Sequence, residues 1–98
     1  MKKLQDILYK VHLEQVNGTT DVDVSNIQID SRKVIKGSVF VAIRGEKTDG
    51  HKFFDKAIEQ GAVAIVCEEM PTVFADGITY IKVKSSNETV AFMAHNFY

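Results

Sequence analysis

The stretch "SVFVAIRGEKTDGHKFFDKAIEQGAVAIVCE", residues 38–68, decides the fold. It opens on an almost wholly apolar run at 38–43, crosses a polar loop at 45–50 and closes on a second apolar run at 62–68. Such runs are typical of strands that are covered on both faces. Between them, four apolar residues share one face of a helix that Gly61 ends: Phe53, Phe54, Ala57 and Ile58. Strand, helix and strand in this order predict a right-handed crossover between two parallel strands.

Two further elements precede this stretch. The first is an amphipathic helix, because apolar residues recur there at helical spacing; they are Leu4, Ile7, Leu8 and Val11. Asn17-Gly18 then predicts a turn that ends the helical pattern. The second is a half-exposed strand, because residues 24–29 alternate between apolar and polar side chains.

Two more elements follow the stretch, a strand at 78–83 and a C-terminal helix. Ser85 and Glu88 have the spacing of a capping box that opens this helix. Its inward face is predicted to carry Val90, Met93, Ala94 and Phe97. The fold class is therefore predicted to be α/β: residues 1–98 form a single small layered domain. We expect a mixed, mostly parallel β-sheet of about four to five strands with flanking helices. The helix stops without a cap, which predicts a domain boundary there.

The composition of the chain disfavours some classes of binding partner. The chain has 12 basic and 13 acidic residues and a net charge of −1, with no basic block, so a nucleic-acid partner is disfavoured. No apolar segment approaches the length of a membrane span, and no membrane partner is predicted. Cys67 is the single cysteine and is expected to be a small buried hydrophobe. One cysteine permits no internal disulfide, so a cytoplasmic location is expected.

Polar residues follow two neighbouring predicted strands. Asp30-Ser31-Arg32 comes after the first strand, and the loop 45–50 comes after the next. Ligands of open α/β sheets gather at the carboxyl ends of strands. If both ends lie on one side, a crevice there offers a hydroxyl, backbone N–H groups and basic side chains, which are the groups that a nucleoside diphosphate needs. The structural alternative is that Asp30 accepts backbone N–H bonds in a turn while Arg32 pairs with it or covers apolar surface.

The loop "GEKTDG" and its neighbours allow both functional and structural interpretations. It matches neither the dinucleotide fingerprint nor the P-loop, so no ATP site is predicted in this chain. It precedes a helix, where Arg44, Lys47 and His51 could strengthen an anion site, although an exposed loop with solvated charges is slightly favoured. Asp49 beside His51 resembles an acid–base pair, but an N-cap role for Asp49 is favoured. The three histidines lack zinc-site spacing, so neither a metal site nor a catalytic residue is predicted.

Residues 30–69, "DSRKVIKGSVFVAIRGEKTDGHKFFDKAIEQGAVAIVCEE", closely resemble the N-terminal domain of the Mur ligases. The shared features occur in register: the DSR triplet, the G-[SD]-x-F-V-A-x-x-G strand, the DGH step and the A-x-x-x-G-A helix end. The resemblance extends over about residues 24–98. Mur ligases add amino acids to the UDP-linked peptidoglycan precursor. The pattern is most similar to the members that add the third residue, diaminopimelate or lysine.

The resemblance implies that this domain holds the UDP part of UDP-N-acetylmuramoyl-L-alanyl-D-glutamate. By position, the UDP contacts are expected at Ile29, Ser31, Glu46, Lys47 and Thr48. Supporting roles are expected for Asp30, Arg32, Asp49 and His51. Ser31 would contribute its hydroxyl. Glu46 would contribute its backbone, because a carboxylate is a poor neighbour for a diphosphate.

The resemblance also implies an ATP-dependent, ADP-forming ligase that uses ATP and Mg²⁺ in its full-length form. The P-loop, the magnesium site and the amino-acid pocket of the family have no counterpart in this sequence. The chain alone is therefore expected to be inactive, with the remaining ligase domains as partners. Two alternatives stay open. One is the same domain of the sister ligase that attaches D-alanyl-D-alanine, although the Asp49-Gly50-His51 step favours the third-residue enzyme. The other is a non-catalytic interaction module that retains the fold.

Overall fold

The computed structural model describes residues 1–98, and its main feature is a mixed five-stranded sheet. The spatial order is β2 (Gln15–Asn17), β7 (Thr79–Lys82), β6 (Ala64–Cys67), β5 (Ser38–Val41) and β4 (Asn26–Gln28). β2 pairs antiparallel with β7, and every other pair is parallel. A separate ribbon joins β1 (Lys2–Lys3) to β3 (Asp23–Val24). The predicted α/β class with a mostly parallel sheet is confirmed.

Helices cover both faces of the sheet, as the apolar runs predict. Helices α1 (Leu4–Ile7) and α3 (Ser86–Phe97) contribute to the core on one face, and α2 (Phe54–Glu59) contributes to the core on the other. Successive residues of a strand point to opposite faces, so Val39 and Val41 join the first core while Phe40 joins the second. All four residues of β5 and all four of β6 are buried. The crossover from β5 through α2 to β6 joins parallel strands, as predicted.

The structure differs from the prediction near the N-terminus. Helix α1 ends at Ile7, although the apolar spacing continues to Val11. Lys10 adopts the left-handed backbone conformation, with φ of 64°, which turns the chain out of the helix. The chain then forms β2, which the sequence did not predict because all three of its side chains are exposed and it has no apolar face. The predicted strand at 24–29 is divided between β3 and β4.

The C-terminal helix begins where the capping pattern places it. Ser85 Oγ accepts a hydrogen bond of 3.3 Å from the backbone N–H of Glu88, and Met93 is fully buried on the inward face. The helix has 12 residues and is the longest in the chain. None of the helices combines the length and the apolar character that a bilayer crossing requires.

Candidate functional site

A cavity of about 680 Å³ is built from the segments that follow β4 and β5. Because these two strands are parallel neighbours, the segments that follow them leave the same edge of the sheet. One part of the lining is the segment 29–32, and another comes from the loop, at Gly45, Thr48 and Gly50. Phe40, Ile43, Phe53 and Lys56 complete the lining. The expectation that the DSR triplet and the loop share one crevice is confirmed.

The DSR triplet forms a short 3-10 turn, Ser31–Lys33, that Asp30 caps. Asp30 Oδ1 accepts hydrogen bonds from the Arg32 backbone N–H at 2.9 Å and from Arg32 Nε at 3.0 Å. Asp30 Oδ2 accepts a further bond from Arg32 Nη2 at 2.9 Å. The guanidinium is thus held by both carboxylate oxygens, a geometry that a lysine ammonium does not reproduce. The prediction that Asp30 accepts a backbone N–H bond in a turn and pairs with Arg32 is therefore confirmed. Both residues also line the cavity.

The pairing with Arg32 lowers the pKa of Asp30, and a pH titration tests it. Hydrogen bonds from the Arg32 side chain and backbone favour the carboxylate and bring the pKa of Asp30 from 3.8 to about 2. A lowered pKa stabilises the fold above pH 3.8, and this contribution is lost as the pH falls through about 2. We expect carboxyl-carbon NMR to show this pKa in the chain. Arg32→Ala should return the pKa toward 3.8, and Arg32→Lys should give an intermediate value. An unchanged pKa in Arg32→Ala would show that the ion pair does not form.

Ser31 presents a free hydroxyl to the cavity. The residue is only 7% exposed, and its Oγ takes part in none of the side-chain hydrogen bonds of the chain. The one fully enclosed side-chain oxygen without a partner is Ser86 Oγ, so Ser31 Oγ keeps contact with open space. That space is the cavity that Ser31 lines. A nearly buried hydroxyl with no protein partner is suited to bind a polar group of a ligand.

Gln60 fixes the turn that carries Ser31. Its side-chain amide donates to the carbonyl of Ser31 at 2.7 Å and to the carbonyl of Val34 at 3.0 Å. Gln60 lies at the C-terminal end of α2, so the helix and the turn are joined directly. Sequence reasoning missed this residue, because nothing local marks a glutamine as the partner of a segment 29 positions earlier.

The loop that forms another part of the lining is a tight turn closed by backbone bonds. Gly45 N–H donates to Thr48 O at 2.8 Å, Gly50 N–H donates to Ile43 O at 2.9 Å, and Arg44 bridges to Asp49 in antiparallel fashion. A Cβ on Gly50 would lie 2.8 Å from Ile43 N, so only glycine lets the two arms of the loop approach this closely. Thr48 faces the cavity, while Glu46 and Lys47 are exposed at the tip outside its lining.

His51 is a structural residue that anchors this loop. Its Nδ1 contacts Asp49 Oδ1 at 2.7 Å, and its Nε2 accepts from the backbone N–H groups of Glu68 at 3.0 Å and Glu69 at 3.3 Å. Both ring nitrogens are therefore occupied, with the proton on Nδ1. Asp49 Oδ1 also accepts from the His51 backbone N–H, which lowers the pKa of the Asp49 carboxyl. The N-cap role of Asp49 is confirmed, and no free acid–base pair is present.

Arg44 pairs with carboxylates of the protein itself. Its Nη2 lies 2.8 Å from Glu69 Oε2, and weaker contacts of 3.8 Å and 3.9 Å reach Asp49 and Glu68. Glu68 Oε2 in turn accepts the backbone N–H of Ser86 at the start of α3, at 2.8 Å. Arg44 and His51 thus already have protein partners, which favours the alternative of an exposed loop over an anion site that they strengthen.

The structure brings together most, but not all, of the predicted contact residues. Ile29, Ser31 and Thr48 line one cavity. For Glu46 and Lys47, contact with a ligand stays a prediction. Phe53 and Lys56 were not predicted, although their spacing of three places them on one face of the helical segment after the loop, and that signal was available in the sequence.

Two other features bear on possible chemistry. No group of three or more His, Cys, Asp or Glu side chains is arranged to hold a metal ion. Cys67 is fully buried, and burial raises the pKa of its thiol to about 11, so the thiolate needed for nucleophilic attack is suppressed at neutral pH. The interpretation of Cys67 as a small core residue is confirmed.

The chain is similar to proteins of one known family. Residues 23–98 match the family described as Mur ligase family, catalytic domain. The chain is 50% identical over 97 residues to the UDP-N-acetylmuramoyl-L-alanyl-D-glutamate--2,6-diaminopimelate ligase of Cytophaga hutchinsonii, covering 98% of the chain and 20% of that protein. It is 45% identical over 96 residues to the enzyme of the same name from Clostridioides difficile, covering 98% of the chain and 19% of that protein. The chain thus spans about one fifth of the length of these curated relatives.

Solved structures share the fold. A MurF ligase from Thermotoga maritima in complex with ADP is 40% identical, with a TM-score of 0.61 over 70% of this chain and 16% of its own. The UDP-N-acetylmuramoylalanyl-D-glutamyl-2,6-diaminopimelate--D-alanyl-D-alanyl ligase from Acinetobacter baumannii is 19% identical. Its TM-score is 0.74 over 96% of this chain and 21% of its own, a likeness of fold alone.

Proposed function

The chain belongs to the Mur ligase family, and from this premise we propose that its cavity binds the UDP part of UDP-N-acetylmuramoyl-L-alanyl-D-glutamate. The whole protein would then be the ATP-dependent ligase that adds the third residue of the peptidoglycan stem peptide, in the cytoplasm. That substrate appears in the name of the relatives that match 98% of the chain. The observation that carries the proposal is the free hydroxyl of Ser31 in a cavity at the carboxyl edge of parallel strands.

The dimensions and lining of the cavity support this proposal. Small-molecule sites are typically about 300–1,000 Å³, mostly apolar, with a few polar groups that fix orientation. Here the volume is about 680 Å³, and the partly exposed side chains of Ile43 and Phe53 offer apolar surface for a flat base. Ser31 and Thr48 supply hydroxyl groups. Ile29 is largely exposed and adds an apolar side chain at the start of the DSR segment.

A titration of the isotope-labelled 98-residue chain with UDP, followed by amide NMR shifts, tests the proposal. We expect weak binding, because the domain supplies only part of the substrate site and association entropy must still be overcome. The shifts should cluster at residues 29–32 and 45–50. Ser31→Ala should weaken binding by roughly 3- to 10-fold, the effect of one lost hydrogen bond. Its fold should be unaffected, since the hydroxyl has no protein partner.

Thr72→Ala is the matched control, because Thr72 is an exposed hydroxyl residue outside the cavity. This variant should bind UDP as the wild type does. A folded spectrum without shifts at millimolar UDP calls for the same run with the full muramoyl-dipeptide nucleotide. Failure of that ligand as well would contradict the proposal and favour a non-catalytic interaction module, for which the exposed Phe92 and Tyr98 of the C-terminal region are the available apolar surface.

ATP and Mg²⁺ do not fit the residues of this chain. The loop before α2 lacks the lysine and hydroxyl of a P-loop, because His51 and Lys52 stand in their places. His51 is held by Asp49 and by the backbone at 68–69. No carboxylate cluster is suited to a metal. Activation of the substrate carboxylate is therefore assigned to other parts of the whole protein, and we expect the 98-residue chain alone to catalyse no ligation.

A second candidate is the same domain of the ligase that attaches D-alanyl-D-alanine. The observation in its favour is the 40% identity to a MurF ligase over 70% of the chain. The identity to a diaminopimelate ligase is higher, 50% over 98% of the chain, and favours the first candidate. Both candidates bind UDP, so the titration does not separate them. The coding sequence that follows these 98 residues does, because the amino-acid pocket that distinguishes the two enzymes is expected there.

A further inference from the structure

We infer that Lys56 is the residue that binds the diphosphate of the ligand in this cavity. The inference rests on the proposed function and deepens it, because it assigns the charge that a nucleoside diphosphate requires to one side chain. The sequence pattern did not single out Lys56, and the basic residues that it did single out in the loop are Arg44, Lys47 and His51. The structure leaves none of these three to line the cavity.

The charges that line the cavity are Asp30, Arg32 and Lys56. Asp30 and Arg32 neutralise each other through a paired contact with N–O distances of 2.9 Å and 3.0 Å. Lys56 makes neither a salt bridge nor a side-chain hydrogen bond, so its ammonium has no protein partner. One uncompensated positive charge therefore remains at the cavity. Phosphate oxygens bind most strongly to such cationic donors.

The fold places Lys56 near the free hydroxyl of Ser31. Lys56 lies in α2, and the 3-10 turn at Ser31–Lys33 packs against this helix. Gln60 of the same region fixes that packing through its bonds to the carbonyls of Ser31 and Val34. The diphosphate would thus lie between the DSR turn and α2, where an ammonium and a hydroxyl can both donate to it.

A series of ligands with zero, one and two phosphate groups tests this assignment without relying on catalysis. Uridine, UMP and UDP are titrated separately into the wild-type chain, Lys56→Gln and Lys56→Arg. Lys52→Gln serves as the matched control, because Lys52 is a nearby exposed lysine outside the cavity lining. In the wild type and in Lys52→Gln, affinity should rise from uridine to UDP. Lys56→Gln should lose about tenfold in UDP affinity while uridine affinity is unchanged, and Lys56→Arg should restore most of the loss.

The possible results distinguish an error in the assignment of Lys56 from an error in the proposed function. If the wild-type chain binds UDP and Lys56→Gln retains the full gain from uridine to UDP, the assignment of Lys56 is wrong while the proposed function stands. An equal loss of uridine and UDP affinity in Lys56→Gln would also overturn the assignment, because it would indicate a change in the cavity rather than a lost phosphate contact. If neither these nucleotides nor the full muramoyl-dipeptide nucleotide bind the wild type, both proposals fail together.

Discussion

Phe40→Ala is expected to lower the free energy of unfolding by about 3–5 kcal/mol, the range for a buried phenylalanine. Phe40 is 1% exposed and lies in the core between the sheet and α2, together with Ala57, Ile65 and Tyr80. Truncation removes this apolar surface and leaves a void that the β5 backbone cannot close, because β5 is paired on both sides. Domains of this size are stable by only about 5–15 kcal/mol, so the variant should be close to unfolding at 37 °C.

Urea denaturation followed by circular dichroism measures this effect, and thermal unfolding should show a fall of roughly 15–30 °C. Phe92→Ala is the matched control, because the same side chain is deleted where it is 54% exposed on α3. That variant should lose no more than about 1 kcal/mol. Similar losses in the two variants would mean that Phe40 is not in a packed core. Since Phe40 also lines the cavity, UDP binding should be compared only under conditions where both variants are folded.

Gly61→Ala is expected to destabilise the chain by about 3 kcal/mol, from two additive causes. The residue has φ of +113°, a conformation that costs an L-residue roughly 1–2 kcal/mol. In addition, a Cβ at this position would lie 2.6 Å from Lys36 Cα and 2.9 Å from Lys36 N, both backbone atoms. Relieving such overpacking costs at least about 1 kcal/mol. The segment pushed away leads into β5 and is bonded to Gly61 O through the Gly37 N–H at 2.9 Å.

Gly77→Ala is the control that separates the two causes. Gly77 also has a positive φ, of 77°, but nothing lies within 4 Å of the position of its Cβ. It should lose only the conformational part, about 1–2 kcal/mol. The difference between the two variants in urea denaturation then measures the contact with Lys36. Equal losses would show that the chain near Lys36 moves aside freely, and a disturbed Ser31 amide in Gly61→Ala would show that the shift reaches the segment that lines the cavity.

Local patterns predicted most of the fold, because apolar spacing is a property of neighbouring residues. The crossover from β5 to β6, the cap at Ser85 and the inward side of α3 were all predicted in this way. The edge strand β2 was missed because its side chains are all exposed. The N-terminal helix was predicted too long because its apolar spacing continues past Lys10, where the backbone becomes left-handed.

Part of the candidate site was also predicted from the sequence. Polar residues after two successive strands predicted that Ser31 and the loop at 45–50 would share a crevice if both strand ends lie on one side. The parallel register of β4 and β5 confirms that condition. The role of Asp49 as a cap was likewise visible, because its bond to the His51 N–H spans two residues. What the spacing did not show was the partner of each basic side chain, on which the charge of the cavity depends.

The sequence by itself determined the α/β crossover, the polar edge of the sheet and the resemblance to the Mur ligases, because each depends on residues close together in the chain. Only the tertiary structure decided which groups are free to meet a ligand. His51 bonds to the backbone 17 residues later, Arg44 bonds to Glu69, and Gln60 reaches back 29 residues to Ser31. A side chain becomes available or occupied through such distant contacts. These contacts leave Ser31 with an unpartnered hydroxyl and Lys56 as the unpartnered cation of the cavity.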